Sequence, residues 1–209
     1  YQAAFQWQNY TDSISEYWPQ ILRSFGYALI ATAAALVISY PLAYFIGVKM
    51  RARPVLQNLL MTLVIAPFFI SFLLRTLAWK AILSDDAWVA SSLKALSILP
   101  PDAHITGTPF SVIFGLTYNF IPFMTLPLYS TLERLDTRLL EAGQDLYASN
   151  WTTFRKVTIP LSMPGIVSGT LLTFIPAAGD YINASQDFLG AADTSMMGNV
   201  IESNFLVLQ

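Results

Sequence analysis

The chain has 209 residues, of which 55% are hydrophobic and only 11% charged, against about 25% charged in ordinary soluble domains. Its net charge of −2 comes without a basic stripe for nucleic acid. It has no cysteine, which excludes thiol catalysis, disulfides and Cys-based metal sites.

The few charges are clustered, and residues 24–48, 54–74, 105–132 and 157–179 contain no Asp, Glu, Lys or Arg. A helix needs about 20 apolar residues to cross a bilayer, so each run is long enough. The expected fold is therefore all-α, a polytopic transmembrane bundle. The chain starts without Met and ends inside an apolar stretch, as expected of part of a longer protein.

Residues 1–20 are polar and aromatic and read as an interfacial segment ending in Tyr17-Trp18-Pro19. A first crossing is expected near 21–48, where Gly26, Ala28, Ala31, Ala34 and Ala35 offer a small face for a neighbouring helix. Lys49, Arg51 and Arg53 follow with no acid among them. A second crossing, near 56–77, holds Pro67 and ends around Arg75. A third, near 110–132, holds Pro122 and Pro127. A fourth, near 161–178, holds Pro164 and Pro176. Another is expected to start near 204–209. Each internal proline removes a backbone bond and kinks its helix, which suits a bundle around a pathway.

Positive charge orients the chain. Residues 49–53, and the loop carrying Arg134, Arg138, Arg155 and Lys156, lie on the cytoplasmic side. The acidic loops at 80–104 and 180–202 lie outside.

The cytoplasmic element at 136–160 is expected to hold two short amphipathic helices. Asp136 is placed to cap the first, over 137–147, and Ser149 the second, near 150–156. Trp151, Phe154 and Val157 form the apolar side of the second. Pro160 disfavours helix at Ile159, so the chain is expected to turn before the next crossing. Ala142 and Gly143 are small enough to let a partner surface approach. On the residues alone, a hairpin lying on the membrane surface would also fit.

Here the sequence resembles a known family. Permeases of ABC importers carry Glu-Ala-Ala, three residues, Gly, nine residues, then Ile-x-Leu-Pro. This chain has Glu141-Ala142-Gly143 and, at the kept interval, Val157-Thr158-Ile159-Pro160. The flanks LERLDTRLLEAGQDLYAS and PLSMPGIVSG resemble the spermidine/putrescine branch, as do PFFISFLLRTLAWKAIL and GDYIN…LGAADTSMMGNVI.

The resemblance implies a type I importer in the prokaryotic inner membrane, with two homologous permease subunits, ABC ATPase subunits beneath and an extracytoplasmic binding protein. It implies docking of residues 136–160 on the ATPase through Glu141, Ala142, Gly143, Asp145, Trp151 and Phe154. This chain has no Gly-rich phosphate loop, so no cofactor is expected on it; ATP and Mg²⁺ belong to the partner ATPase. Family permeases usually have six crossings. Where the family has Gly at the turn this chain has Tyr147, a costly residue for a left-handed backbone. The turn is expected to shift toward Ala148-Ser149-Asn150.

For a polyamine, carboxylates and aromatic faces at the outer mouth are the expected attractants. Asp180 is the chosen acid, with Tyr181, Tyr118, Trp79 and Trp88 as aromatic candidates. Arg75 is either a pathway residue, paired with an acid such as Asp180, or a cation reaching for headgroups. His104 stands alone among histidines and reads as a loop residue rather than a metal ligand. The alternatives are an ABC permease for a sugar or an anion, and an intramembrane enzyme. The enzyme reading lacks convergent charged groups within the crossings.

Overall fold

A computed structural model describes residues 7–97, 100, 102–207. The expected interfacial segment at 1–20 lies partly outside these. Its described part is helical and runs without a break into the first crossing.

Every regular element among the described residues is a helix. Helix α1 runs Trp7–Tyr44 and closes in a widened π turn, Phe45–Lys49. Helix α2, Pro54–Ile65, has proline in its first turn, where the missing amide costs nothing. It tightens into a 3₁₀ turn at Ala66–Phe69 around Pro67. Helices α3 (Phe72–Leu83) and α4 (Trp88–Ala95) come next. Helix α5 spans Pro109–Glu133 with Pro122 and Pro127 inside it. Helices α6 (Thr137–Asp145) and α7 (Asn150–Thr153) form the polar hairpin. A π turn at Phe154–Thr158 leads into α8, Ile159–Ala178, and α9 is Met197–Val207.

Three stretches are long and apolar enough to cross a membrane: Thr11–Lys49, Pro109–Glu133 and Asn150–Ala178. The stretch around Pro67 is different. There Pro54–Phe69 and Phe72–Ala95 meet at a 93° bend, so the apolar run near 56–77 is a broken span or a re-entrant loop rather than one straight helix. The break falls at Ile70, extended in backbone, just after the proline-bearing turn.

One expectation about the hairpin is corrected. The chain does not turn at Pro160. The stretch from Asn150 to Ala178 is one continuous helical run. The π turn immediately before Pro160 is the physical reason: the Ile159 amide reaches back to the Phe154 carbonyl, and the widened turn accommodates the proline ring.

The chain divides into two compact units. In the unit made of 1–30, 76–116 and 176–209, the core is Leu83, Ala90, Ile105 and Leu189, flanked by Trp79, Val89, Leu93 and Phe114. Its loops are tied down by side chains. Lys80 donates to the Asp187 carbonyl at 2.7 Å, Arg23 to the Asp193 carbonyl, and the Ser24 hydroxyl accepts from the Met197 amide at 2.7 Å.

The unit made of 31–75 and 117–175 packs Ala35, Tyr40 and Ala43 of α1 on Met124, Leu128 and Leu132 of α5. Its second π turn and α8 bury small residues at helical spacing: Thr158, Ser162, Gly165, Gly169 and Thr173. A Cβ on Gly165 would lie 2.9 Å from the Pro127 carbonyl oxygen, and one on Gly169 would lie 3.1 Å from that of Met124. Helices α5 and α8 therefore meet backbone to backbone, as small-xxx-small pairs allow. Tyr40 and Ser162 share a buried 2.7 Å hydroxyl–hydroxyl bond. On α1, Ala28, Ala31 and Ala35 are fully buried as expected of a small face, whereas Gly26 has open space beside it.

Candidate functional site

The polar hairpin is built from its caps. The Asp136 carboxylate accepts from the Arg138 amide at 3.0 Å and starts α6. The Ser149 hydroxyl accepts from the Thr152 amide at 3.2 Å and starts α7. Both caps are those read from the sequence.

The turn between them does not shift as expected. Tyr147 itself takes the left-handed conformation, with φ of 55°. The Leu146 amide bonds to the Ala142 carbonyl, and the Ala148 amide to that of Gly143 at 3.0 Å. This closes α6 as a left-handed C-terminal cap, a position that favours glycine. The turn therefore keeps its place and the tyrosine bears the cost. Its side chain is 99% exposed, so no packing within the chain repays it.

The hairpin presents Glu141, Ala142, Asp145, Leu146, Tyr147 and Trp151 outward. Leu146 and Trp151, large apolar side chains between polar neighbours, are 81% and 68% exposed. Gly143 and Phe154 face inward. A Cβ on Gly143 would lie 2.9 Å from the Thr153 hydroxyl, so this glycine lets α6 pack on its own partner helix. Phe154 packs edge-on against Tyr40 and Tyr44 at 5.6 and 5.9 Å and stacks on Trp151. It anchors the hairpin to α1. A cleft of about 430 Å³ lies beside this anchor, lined by Tyr44, Lys49, Leu140, Trp151 and Phe154.

The candidate pathway residues fall in different units. Asp180, Tyr181 and Trp79 belong to the first, and Tyr118 and Arg75 to the second. Asp180 is 8% exposed, and one carboxylate oxygen accepts from the Asn183 amide at 2.7 Å. Burial pushes its carboxyl up to about 6, against the pull of hydrogen bonds from Asn183, Ala184 and Ile182. Tyr181 is half-exposed, with its carbonyl bound by Asn199 at 2.6 Å. Trp79 stands edge-on to Phe114 at 4.7 Å, and Trp88 is 75% exposed.

Arg75 is buried rather than extended to water. Its guanidinium lies 5.6 Å from the Phe72 ring centre, and its Nε and Nη1 have no hydrogen-bond partner among the described residues. Tyr118 lines an apolar groove of about 280 Å³ with Leu42, Leu60, Pro67 and Pro122. His104 contacts the Asp85 carboxylate at 2.5 Å, which Lys94 also approaches at 3.8 Å. Among the described residues no group of three or more His, Cys, Asp or Glu could hold a metal.

Residues 39–204 match the binding-protein-dependent transport system inner membrane component family. The chain belongs to that family. It is a transport permease component of the bacterial inner membrane, not an enzyme.

The permease is 41% identical over 204 residues to the spermidine/putrescine transport system permease protein PotB of Escherichia coli, covering 97% of this chain and 72% of that protein. It is 39% identical over 201 residues to the protein of the same name in Haemophilus influenzae, covering 96% and 68%. It is also 31% identical over 173 residues to the Escherichia coli inner membrane ABC transporter permease protein YdcU, covering 78% and 55%.

Tyr147, flagged in the sequence by its place at the family's glycine position, stays in the turn as the exposed, strained tip of the hairpin in this permease, where a shifted turn is expected. Sequence reasoning misses the Gly165–Gly169 contact, whose four-residue spacing is the readable sign.

Proposed function

We propose that this chain is the membrane-spanning subunit of an ATP-driven polyamine importer, and that its α6–α7 hairpin couples the pathway to a separate ATPase subunit. The observation that carries the coupling role is the hairpin's outward face. Glu141, Ala142, Asp145, Leu146, Tyr147 and Trp151 are exposed together, while Gly143 and Phe154 fasten the hairpin from within. The polyamine reading draws support from the names of the permease's relatives in Escherichia coli and Haemophilus influenzae.

In this reading the full transporter contains a second, homologous permease and ATPases that bind ATP and Mg²⁺, and a binding protein delivers substrate from outside. The permease changes no bond in the substrate. An ATPase that closes on ATP displaces α6, and the continuous run Asn150–Ala178 carries the motion into the membrane. Coupling of this kind is a free energy shared between two sites and works in both directions. Asp180, Tyr181, Trp79 and Tyr118 supply the carboxylate and ring faces that attract an extended polycation. Arg75, a cation, repels such a substrate and attracts none of it.

The test is Glu141→Lys in the full-length complex. Loss of ATPase from the purified complex, or ATP hydrolysis without uptake, is expected. Unchanged ATPase retention together with unchanged uptake would refute the coupling role.

A further inference from the structure

Arg51 lies in the short loop between the π turn that closes α1 and the start of α2 at Pro54. Its neighbours Lys49 and Arg53 are exposed, whereas Arg51 is half-buried. Its Nη1 donates to the Leu135 carbonyl at 2.9 Å. Its Nη2 donates to the Leu132 carbonyl at 3.1 Å and also to the Glu133 carbonyl. Leu132 and Glu133 end α5 and Leu135 follows it. The Leu132 carbonyl also accepts from the Leu135 amide at 3.2 Å, and a helix C-terminus leaves its last acceptors short of partners and its dipole negative. The next residue, Asp136, caps α6.

The surroundings make the same joint tight. A Cβ on Gly47 would lie 3.3 Å from the Glu133 amide nitrogen. The Tyr129 hydroxyl donates to the Glu133 carboxylate at 2.7 Å, and Gln57, at the start of α2, donates to the Tyr129 oxygen at 3.1 Å. Membrane orientation alone explains a positive charge in this loop but not its form. A lysine would serve that rule equally well, whereas the guanidinium holds two donor nitrogens in a fixed planar fork, here spread over three carbonyls.

We infer that Arg51 is a positioning residue for coupling: it fastens the α1–α2 loop to the α5–α6 junction, so that a displacement of α6 moves α1 and α2 as well. This rests on the hairpin being the ATPase-docking element. Without the guanidinium fork, α6 would pivot on residues 134–136, and the ATPase stroke would be absorbed at the joint.

The experiment uses the full-length complex in liposomes with its binding protein, ATP and spermidine. Arg51→Lys keeps the charge and loses the fork; Arg51→Met loses both. ATPase retention and spermidine taken up per ATP hydrolysed are measured together. Expected is normal retention with uptake per ATP down about fivefold or more, the low end of measured coupling between sites, in both variants. Wild-type uptake per ATP in both would overturn the inference. So would failure of Arg51→Lys to assemble, which would make Arg51 a folding residue only. Glu141→Lys in the same assay separates the two claims. If it too is silent, the docking element is misassigned and the Arg51 inference falls with it. If it uncouples while the Arg51 variants do not, only the inference about Arg51 fails.

Discussion

Gly143 and Thr153 touch across the cytoplasmic hairpin so closely that a Cβ on the glycine would fall 2.9 Å from the threonine hydroxyl and 3.1 Å from its methyl group. Thr153 is buried, and its β-branched side chain has little freedom to step aside. The two short helices are therefore held as one body.

Gly143→Ala is expected to destabilise the hairpin by about 1–3 kcal/mol, the usual cost of overpacking a tight contact. Thr153→Ala opens the needed space, so the double variant should recover most of the loss. Thermal unfolding of the four members of this cycle in detergent measures the coupling. Additive effects would show that the two residues do not share the contact.

Much of this arrangement is legible in the sequence, and the failures are instructive. Charge-free runs and the caps at Asp136 and Ser149 are local patterns, and local patterns suffice to read them. Pro160 reads as a stop because its local effect is to break a helix. The π turn before it starts at Phe154, which packs on Tyr40 and Tyr44, over a hundred residues away in sequence and out of reach of any local pattern. The small size of Gly143 is legible, but not whether a partner or the chain's own Thr153 uses it. Asp180 reads as an open acid, yet its carboxylate is buried in its own turn with Asn183.

Tyr147 makes a separate prediction. A non-glycine residue in the left-handed region costs about 1 kcal/mol or slightly more, and at 99% exposure its ring gains nothing within the chain. Tyr147→Gly should slow hydrogen exchange of the amides in 142–152 about fivefold, the equivalent of 1 kcal/mol. Faster exchange would contradict the strain. If the ring contacts the ATPase, the same variant will bind that subunit more weakly despite its firmer hairpin, a split that strain alone does not produce.

Asp180 offers a stability and function split. Its carboxyl titrates near 6 when folded and near 3.8 in the unfolded chain. The folded state holds the proton more tightly, so stability is greatest below about pH 4, falls as pH rises through 6 and then levels off. The penalty at neutral pH is about 3 kcal/mol, from roughly two pKa units at 1.36 kcal/mol each. Asp180→Asn should raise the unfolding temperature at pH 7.5 and leave it nearly unchanged at pH 4. The same variant should lose spermidine uptake at pH 7.5 while keeping its ATPase. Higher stability with full uptake would make Asp180 a turn residue outside the pathway.

The most direct measurement is ATP hydrolysis by the full-length complex in liposomes, with its binding protein and, in turn, spermidine, putrescine, maltose and phosphate. Stimulation by the polyamines alone is expected of a pathway that offers the Asp180 carboxylate and aromatic faces to a polycation. Stimulation by maltose or phosphate, with none by either polyamine, would contradict it.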